Sequence, residues 1–374
     1  MIPGVQSTDV GVIGAGIVGL ATAVALKERG ASATVYERGV PGQGQSGGQS
    51  RIFRHAHDDP RLVALAKSSR LIWDEWADRF GVELVSEDGV VAMGPTAERR
   101  LEVLQEVGGL AVRRIDAGEL RERLPILGDF DGDAVLDERG GSIRTTAAIS
   151  ALAAALPGEL VADEVLLVRP TPVGAVEVRA GGVTAEHDSV VVCAGRGTAS
   201  LARGVGLALP VRTGAHVRLT YDVRGEPPPM LACLQDGSGT FGETGIYAVA
   251  EPGNGRYAVG LSDYVDAPDG GLLDPAALAQ LAERATAYVE RGLPGLVPEP
   301  VDVRHCWVTE LPWGSDGVAV WAVDGMYFVA GHNLYKHAPA LGRALAAAAT
   351  GDGLLDELRP DAQLGNATAR PMHR

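Results

Sequence analysis

The chain is poor in cysteine, lysine and aromatic residues, and each shortage narrows what it can be. Three cysteines (Cys193, Cys233 and Cys306) are too few for a disulfide framework. This excludes a stapled secreted scaffold and sets a reducing compartment, the cytoplasm, as the expectation. Only three of the 33 basic residues are lysines, namely Lys27, Lys67 and Lys336, so each of them is informative. Positive charge is also short overall. With 48 acidic residues the formal charge is −15, which argues against nucleic acid or an anionic membrane surface as a partner. Val10 to Leu26 is uncharged over 17 residues, but no Lys or Arg precedes it and Asp9 sits directly upstream. Gly11, Gly14, Gly16 and Gly19 inside the run suit a turn better than a lipid-embedded helix, so no membrane segment is expected.

What is present points to a large folded chain. With 374 residues, 46% of them hydrophobic, there is material for two intertwined domains, each with its own core. Fifty glycines and 22 prolines are many, yet fewer than a low-complexity chain carries. Asp9 to Ile13 reads as a buried strand, Gly14 onward as a turn opening a helix through Glu28, and Ala33 to Glu37 as a second strand. Such a βαβ opening implies a parallel sheet covered by helices. Helices are expected over 59–80, where Trp73 and Trp76 read as core, and over 96–106, 146–155, 275–289 and 338–349. Strands are expected at 164–168, 175–178, 189–195, 216–221, 256–261 and 327–331. Residues 138–141 read as a crossing between domains.

Gly14-Ala15-Gly16-Ile17-Val18-Gly19 is G-x-G-x-x-G in its required setting. A strand precedes it, a helix follows, and Glu37 closes the next strand 18 residues after Gly19. The glycines admit a pyrophosphate to the helix N-terminus, and Glu37 would accept hydrogen bonds from an adenosine ribose. A dinucleotide is therefore expected. The fingerprint alone does not separate NAD from FAD. Gly44-Gln45-Ser46-Gly47-Gly48 also spells G-x-S-x-G, but no strand runs into it and no helix follows, so it reads as chance. No persuasive metal site is seen around His55, His57, His332 or His337.

Residues 46–57 (Ser-Gly-Gly-Gln-Ser-Arg-Ile-Phe-Arg-His-Ala-His), the strand end Val192-Cys193-Ala194-Gly195, and Phe328-Val329-Ala330-Gly331 followed by Lys336 lie in family order along nearly the whole chain. Together with the fingerprint they resemble the D-amino-acid-oxidase-like FAD oxidoreductases, and within them the monomeric sarcosine oxidase and N-methyltryptophan oxidase group. The resemblance implies a mixed α/β fold: a glutathione-reductase-like Rossmann FAD domain (1–82, 141–210 and 318–374) and an interleaved substrate domain on a mixed sheet (83–140 and 211–317), with the flavin ring where the domains meet. It implies FAD contacts from Ile13 to Gly19, from Glu37, Arg38, Ser46, Ser50 and Arg51, from Val165, Cys193, Ala194 and Gly195, and from Gly331, Asn333, Leu334 and Lys336. Arg51 is similar to an arginine beside the flavin ring, and Arg54 to one that binds the substrate carboxylate, a role suited to a planar guanidinium fork. Lys336 is similar to a second carboxylate clamp, Tyr247 to a substrate-pocket tyrosine, and Cys306 to the cysteine that holds the flavin through a thioether. Cys193 and Cys233 read as structural.

Two positions depart from the family pattern. Ala258 replaces a lysine that assists oxygen reduction, and Ser262 replaces a pocket histidine. A cation near the flavin stabilises developing superoxide, so oxygen reactivity is lowered, or Arg256 or Lys336 supplies the charge. The resemblance implies oxidation of a C–N bond in an amino acid or secondary or N-methyl amine: hydride equivalents pass to flavin N5, the imine hydrolyses, and oxygen reoxidises the flavin to give hydrogen peroxide. The alternatives are a dehydrogenase of a 2-hydroxy acid or amine that uses another acceptor, and the flavin subunit of a hetero-oligomeric oxidase. A small-molecule amine and oxygen are the expected partners, and a monomer the expected state.

Overall fold

The computed structural model describes residues 9–268 and 271–368. The described residues of Met1–Gly47, Ala147–Val211 and Thr309–Arg374 form one compact unit, and those of Gly48–Thr146 and Arg212–Val308 a second.

The first unit is built on a six-stranded sheet ordered Val318–Val323, Met326–Gly331, Ser189–Val192, Asp9–Ile13, Ser32–Glu37 and Leu160–Ala162. All neighbours are parallel except the pair Val318–Val323 and Met326–Gly331. Asp9–Ile13 lies in the middle, and its Val10, Val12 and Ile13 are buried, as a strand covered on both faces requires. The uncharged run beginning at Val10 divides between this strand and the helix Ile17–Glu28, whose residues Ile17 to Leu26 are all buried. No helix among the described residues is long and apolar enough to cross a membrane. A small antiparallel sheet, Val165–Pro170, Val176–Ala180 and Val183–His187, sets Val168, Val176 and Val178 against Val190, Val192 and Phe328. At the surface, Lys27 Nζ pairs with Glu159 at 2.8 Å.

The second unit carries a nine-stranded, mostly antiparallel sheet. From one edge the order is Val265–Asp266, Arg212–Asp222, Arg256–Leu261, Ile246–Ala250, Cys233–Asp236, Val90–Met93, Ala134–Asp137 and Val112–Ile115, with Asp302–Glu310 also paired to Arg212–Asp222. The helix Pro275–Gly292 covers one face: Leu278, Leu281, Ala285 and Tyr288 join Val217, Leu219 and Tyr221 in a common core. Asp274 caps it by accepting from Ala276 N, and Pro275 occupies the first turn, where its missing N–H costs nothing. The helix Pro60–Phe80 begins in the same way on Asp59 and ends at Gly81 in the left-handed conformation. Its Trp73 and Trp76 are buried edge to face at 5.5 Å. Lys67 donates to Gly108 O.

The compact units are cut differently from the boundaries drawn on the sequence. Residues 48–82 group with the second unit because Ser50–Phe53 pairs with Gly141–Arg144 and Val63 packs with Leu104 of the helix Pro95–Val107. That pairing keeps the chain in the second unit to Thr146, past the expected crossing at 138–141. Residues 309–317 group with the first unit, where Leu311 packs with Ala319 and Ala330. Local patterning sees strands and helices, but a two-stranded ribbon joining positions about ninety residues apart leaves no local trace.

Trp73→Ala is expected to destabilise the second unit by about 3–5 kcal/mol, the usual cost of emptying a buried aromatic site. Guanidinium unfolding of the two proteins measures it, and a loss below about 1 kcal/mol would show that the Trp73–Trp76 pair is not a packing centre.

Candidate active site

In the first unit three parallel strands end at one level, since Ile13 stands in register with both Tyr36 and Val192. Gly14 turns off this ledge with φ 99°, donating from its N–H to Tyr36 O at 2.8 Å. A Cβ at Gly14 would lie 2.6 Å from the Cys193 carbonyl oxygen, and one at Gly19 would lie 1.9 Å from Gly14 O. Glycine is therefore demanded here by backbone against backbone. Glu37 folds over the turn, accepting from Ala15 N and Gly39 N, each at 2.9 Å. Ser46 Oγ accepts from Ile17 N at 3.0 Å, and the helix has no acidic residue in its first turn. The G-x-S-x-G serine is thus an uncharged cap on the fingerprint helix, not a nucleophile. A turn that leaves no room for side chains, a helix with no acidic residue in its first turn, and Glu37 at the turn together fit the pyrophosphate and ribose of FAD.

The neighbouring residues vary in how near they stand to this turn. Cys193, Ala194 and Gly195 adjoin it: Cys193 N donates to Ile13 O, and a Cβ on Gly195 would meet Gln45 Oε1 at 2.4 Å. Burial pushes the Cys193 thiol up to about 12, so it is inert. Val165 lies in the small sheet, opposite Ala180. Arg38 is exposed and pairs with Glu164. Asn333, with φ 54°, donates to Asp316 Oδ1 at 2.6 Å. Lys336 is 3% exposed and holds the Asn333 carbonyl at 3.3 Å and Asp316 Oδ1 at 3.8 Å. Asp316 is a partner that sequence reading missed, because it lies 20 residues away on another connection.

In the second unit the strand Ser50–Phe53 carries Ser50 and Arg51, and Arg54 and His55 follow directly. Ser50 Oγ is fully buried and has no hydrogen-bond partner among the described residues, as expected of an atom that a ligand completes. Arg54 is 7% exposed and lines a cavity of about 160 Å³. Val90, Ala92, Met93, Val135 and Ile246 form apolar walls there, and Thr244 and Ser262 supply hydroxyls. The backbone beyond Arg54 is fixed by Asp137, which accepts from His55 N at 2.8 Å and from His55 Nδ1 at 3.0 Å. Both side chains are buried. His55 is thus the anchor of the arginine loop.

Tyr247 packs edge to face against His216 at 5.9 Å. Burial, then the nearby Cys306, raise its phenol well above the usual value, while Arg218 and Arg51 oppose that rise. These four groups therefore share one region of the second unit. Ala258 is fully buried, opposite Thr220 and Val249. Arg256, offered above as a substitute cation, lies at the strand end, 54% exposed and bound to Asp222 at 3.0 Å. It does not supply the missing charge. Arg218 went unremarked in the sequence, although alternation marked its strand. His216, Arg218 and Thr220 form a polar row that is buried, whereas a solvent-facing row would be exposed.

Gly19→Ala is expected to abolish retention of flavin, because the added methyl collides with the Gly14 carbonyl and nothing there can yield. The ratio of visible to ultraviolet absorbance after purification reads it. A variant that stays fully yellow would refute the cradle.

Comparison with known proteins agrees with this geometry. A family model described as FAD dependent oxidoreductase matches residues 9–348. Peroxisomal sarcosine oxidase of Homo sapiens is 27% identical over 325 residues, covering 81% of each chain. Glycine oxidase of Geobacillus kaustophilus is 27% identical over 270 residues, covering 66% of this chain and 68% of that one. Among solved structures, NikD, titled an unusual amino acid oxidase essential for nikkomycin biosynthesis, superposes with a TM-score of 0.79 at 21% identity, over 99% of this chain and 100% of the other. L-proline dehydrogenase of P. horikoshii gives 0.80 at 18% identity, over 94% and 95%. These two share the mixed α/β fold. The chain belongs to the FAD-dependent oxidoreductase family.

Proposed function

We propose that this flavoenzyme oxidises the C–N bond of a compact amino acid or secondary amine that carries a carboxylate, with oxygen as the acceptor. The observation that carries the reading is Arg54, a buried guanidinium at the wall of a small cavity lined by apolar residues together with Arg100, Asp137 and Asp236. Ligand sites for drug-sized molecules span roughly 300–1,000 Å³, so a cavity of about 160 Å³ favours a small substrate. The names of the sarcosine and glycine oxidases among the relatives support the same class.

FAD, when bound, accepts the two electrons that leave the substrate. The fingerprint turn with Glu37, Ser46 and residues 193–195 would hold its nucleotide end, with Arg51 and Ser50 toward the ring. Arg54 binds the substrate carboxylate as a two-pronged donor and so fixes which C–H is presented. Lys336 is the second cation in this reading, its charge partly offset by Asp316. Tyr247 contributes a neutral phenol to the pocket, since burial keeps it protonated. Val90, Met93 and Ile246 exclude water from the apolar part of the substrate. The protein's share is orientation and charge placement.

Anaerobic addition of small N-methyl and cyclic secondary amino acids is expected to bleach the flavin band, and air is expected to restore it. In Arg54→Gln the substrate concentration giving half-maximal bleaching should rise by at least about tenfold, the loss expected when a charge-assisted hydrogen bond goes. A spectrum unmoved by amines but bleached by 2-hydroxy acids would transfer the proposal to that class. Cys306 is proposed to hold the flavin covalently. Acid-precipitated protein should then remain yellow and Cys306→Ser should release its colour, whereas a yellow supernatant from the unaltered protein would reject the linkage.

A further inference from the structure

The cavity that Arg54 lines holds a polar side chain whose hydrogen-bonding capacity the protein leaves unused. Gln235 lies on the same wall and is half-buried. Its carboxamide makes no hydrogen bond and no charged contact among the described residues. The charged groups of that wall, Arg54 apart, are already engaged. Arg100 holds Asp58 at 2.9 Å, Asp137 holds His55 at 3.0 Å, and Asp236 accepts from the Tyr288 hydroxyl at 2.9 Å. The hydroxyls of Thr96, Thr244 and Ser262 on the wall also make no hydrogen bond among the described residues. Beyond Arg54, the wall therefore offers uncharged donors and acceptors.

Strand register explains why the amide stands open. Gln235 is opposite Tyr247 on one side and Ala92 on the other, and Ala92 is opposite Val135. Residues paired in this way share a face of the sheet. The alternate residues Leu234, Val91 and Leu136 belong to the core that packs on the helix Pro275–Gly292, so Gln235 is held on the cavity side. Neither lateral neighbour claims its amide. Ala92 contributes only a methyl group. The Tyr247 ring lies over Gly260, on the side away from Gln235: a Cβ on Gly260 would be 2.5 Å from the phenol oxygen.

A carboxamide carries two N–H donors and an acceptor oxygen, and withdrawing it from water without partners is costly. We propose that Gln235 is the specificity-determining residue of the Arg54 cavity and pairs with an uncharged polar group on the substrate's side chain. The substrate class is then a short amino acid or secondary amine with a carboxylate at one end and a carboxamide or hydroxyl at the other. A hydrocarbon tip of the same shape would leave the Gln235 amide unpaired, and sites built on such a pair reject the analogue that lacks it. A second carboxylate would find Arg100 already held by Asp58. The cavity of about 160 Å³ limits the tip to a few atoms. The inference rests on the reading of Arg54 as the carboxylate clamp.

The test uses the flavin-loaded protein and three acids without an amine, so that turnover is not needed: 3-carbamoylpropanoate, 4-methylpentanoate and succinate. The first two share one shape and differ in the polarity of the tip, and the third carries a second charge. Titration calorimetry is expected to show 3-carbamoylpropanoate bound at least about tenfold more tightly than either of the others, the worth of one or two hydrogen bonds. In Gln235→Met that preference should fall below about threefold, through weaker binding of 3-carbamoylpropanoate with 4-methylpentanoate unchanged. Gln235→Glu, which accepts but cannot donate, should weaken succinate at least tenfold by repulsion, and it decides the matter if the methionine variant does not fold. Arg54→Gln should weaken all three acids alike. Equal affinity for the three acids in the unaltered protein, or a preference that both Gln235 variants retain, would overturn this inference and leave the clamp intact. Binding of none of them would remove the clamp reading and this inference together.

Discussion

The level ending of three parallel strands is the constraint from which the first unit follows. Ile13, Tyr36 and Val192 are paired in register, so the chain leaving Ile13 meets a ledge of backbone on either side. Only a residue without a side chain can turn there, and the helix that follows must start at once with its N–H groups facing outward. The ligand-binding turn is a consequence of sheet register before it is a consequence of any ligand. Glu37 and Ser46 then complete it from connections that have no other reason to meet. Each satisfies a backbone N–H that the turn leaves exposed.

In the second unit the governing economy is different. Its sheet has one apolar face, which packs on the helix Pro275–Gly292, and one face whose polar residues are nonetheless buried. Charges there must be matched by contacts brought from far along the chain. His55 takes Asp137, and Arg218 and Arg51 converge on Ser50 O. The Asp137 carboxylate thereby fixes the loop that carries Arg54, and the Ser50 carbonyl draws two guanidinium groups to one place.

The sequence made some of this legible and hid the rest for a definable reason. The βαβ opening, the capped helices at Pro60 and Pro275 and the buried strand Ser189–Val192 announce themselves within a dozen residues. Periodicity, glycine and a preceding Asp or following Pro are all local signals. Arg54, Tyr247 and Cys306 were singled out because a family pattern supplied the context that spacing could not. Arg218, Asp137 and Asp316 were overlooked because their importance lies in partners made by strand pairing or by distant turns. Arg256 misled for the converse reason: a cation near the vacant lysine position in sequence stands at the strand's exposed end in space. The unit boundaries differ for the same reason, at a ribbon whose two halves are separated by three helices and three strands.

The scarcity of lysine has a practical consequence. Lys336 is buried, Lys67 is tied to a helix-end carbonyl, and Lys27 pairs with Glu159 while remaining half exposed. Among the lysines, reagents that acylate amines therefore meet Lys27 first, on the outer end of the fingerprint helix and at the opposite end from the Gly14–Gly19 turn. Fluorophores or surfaces coupled through that side chain would hold the molecule in one dominant orientation.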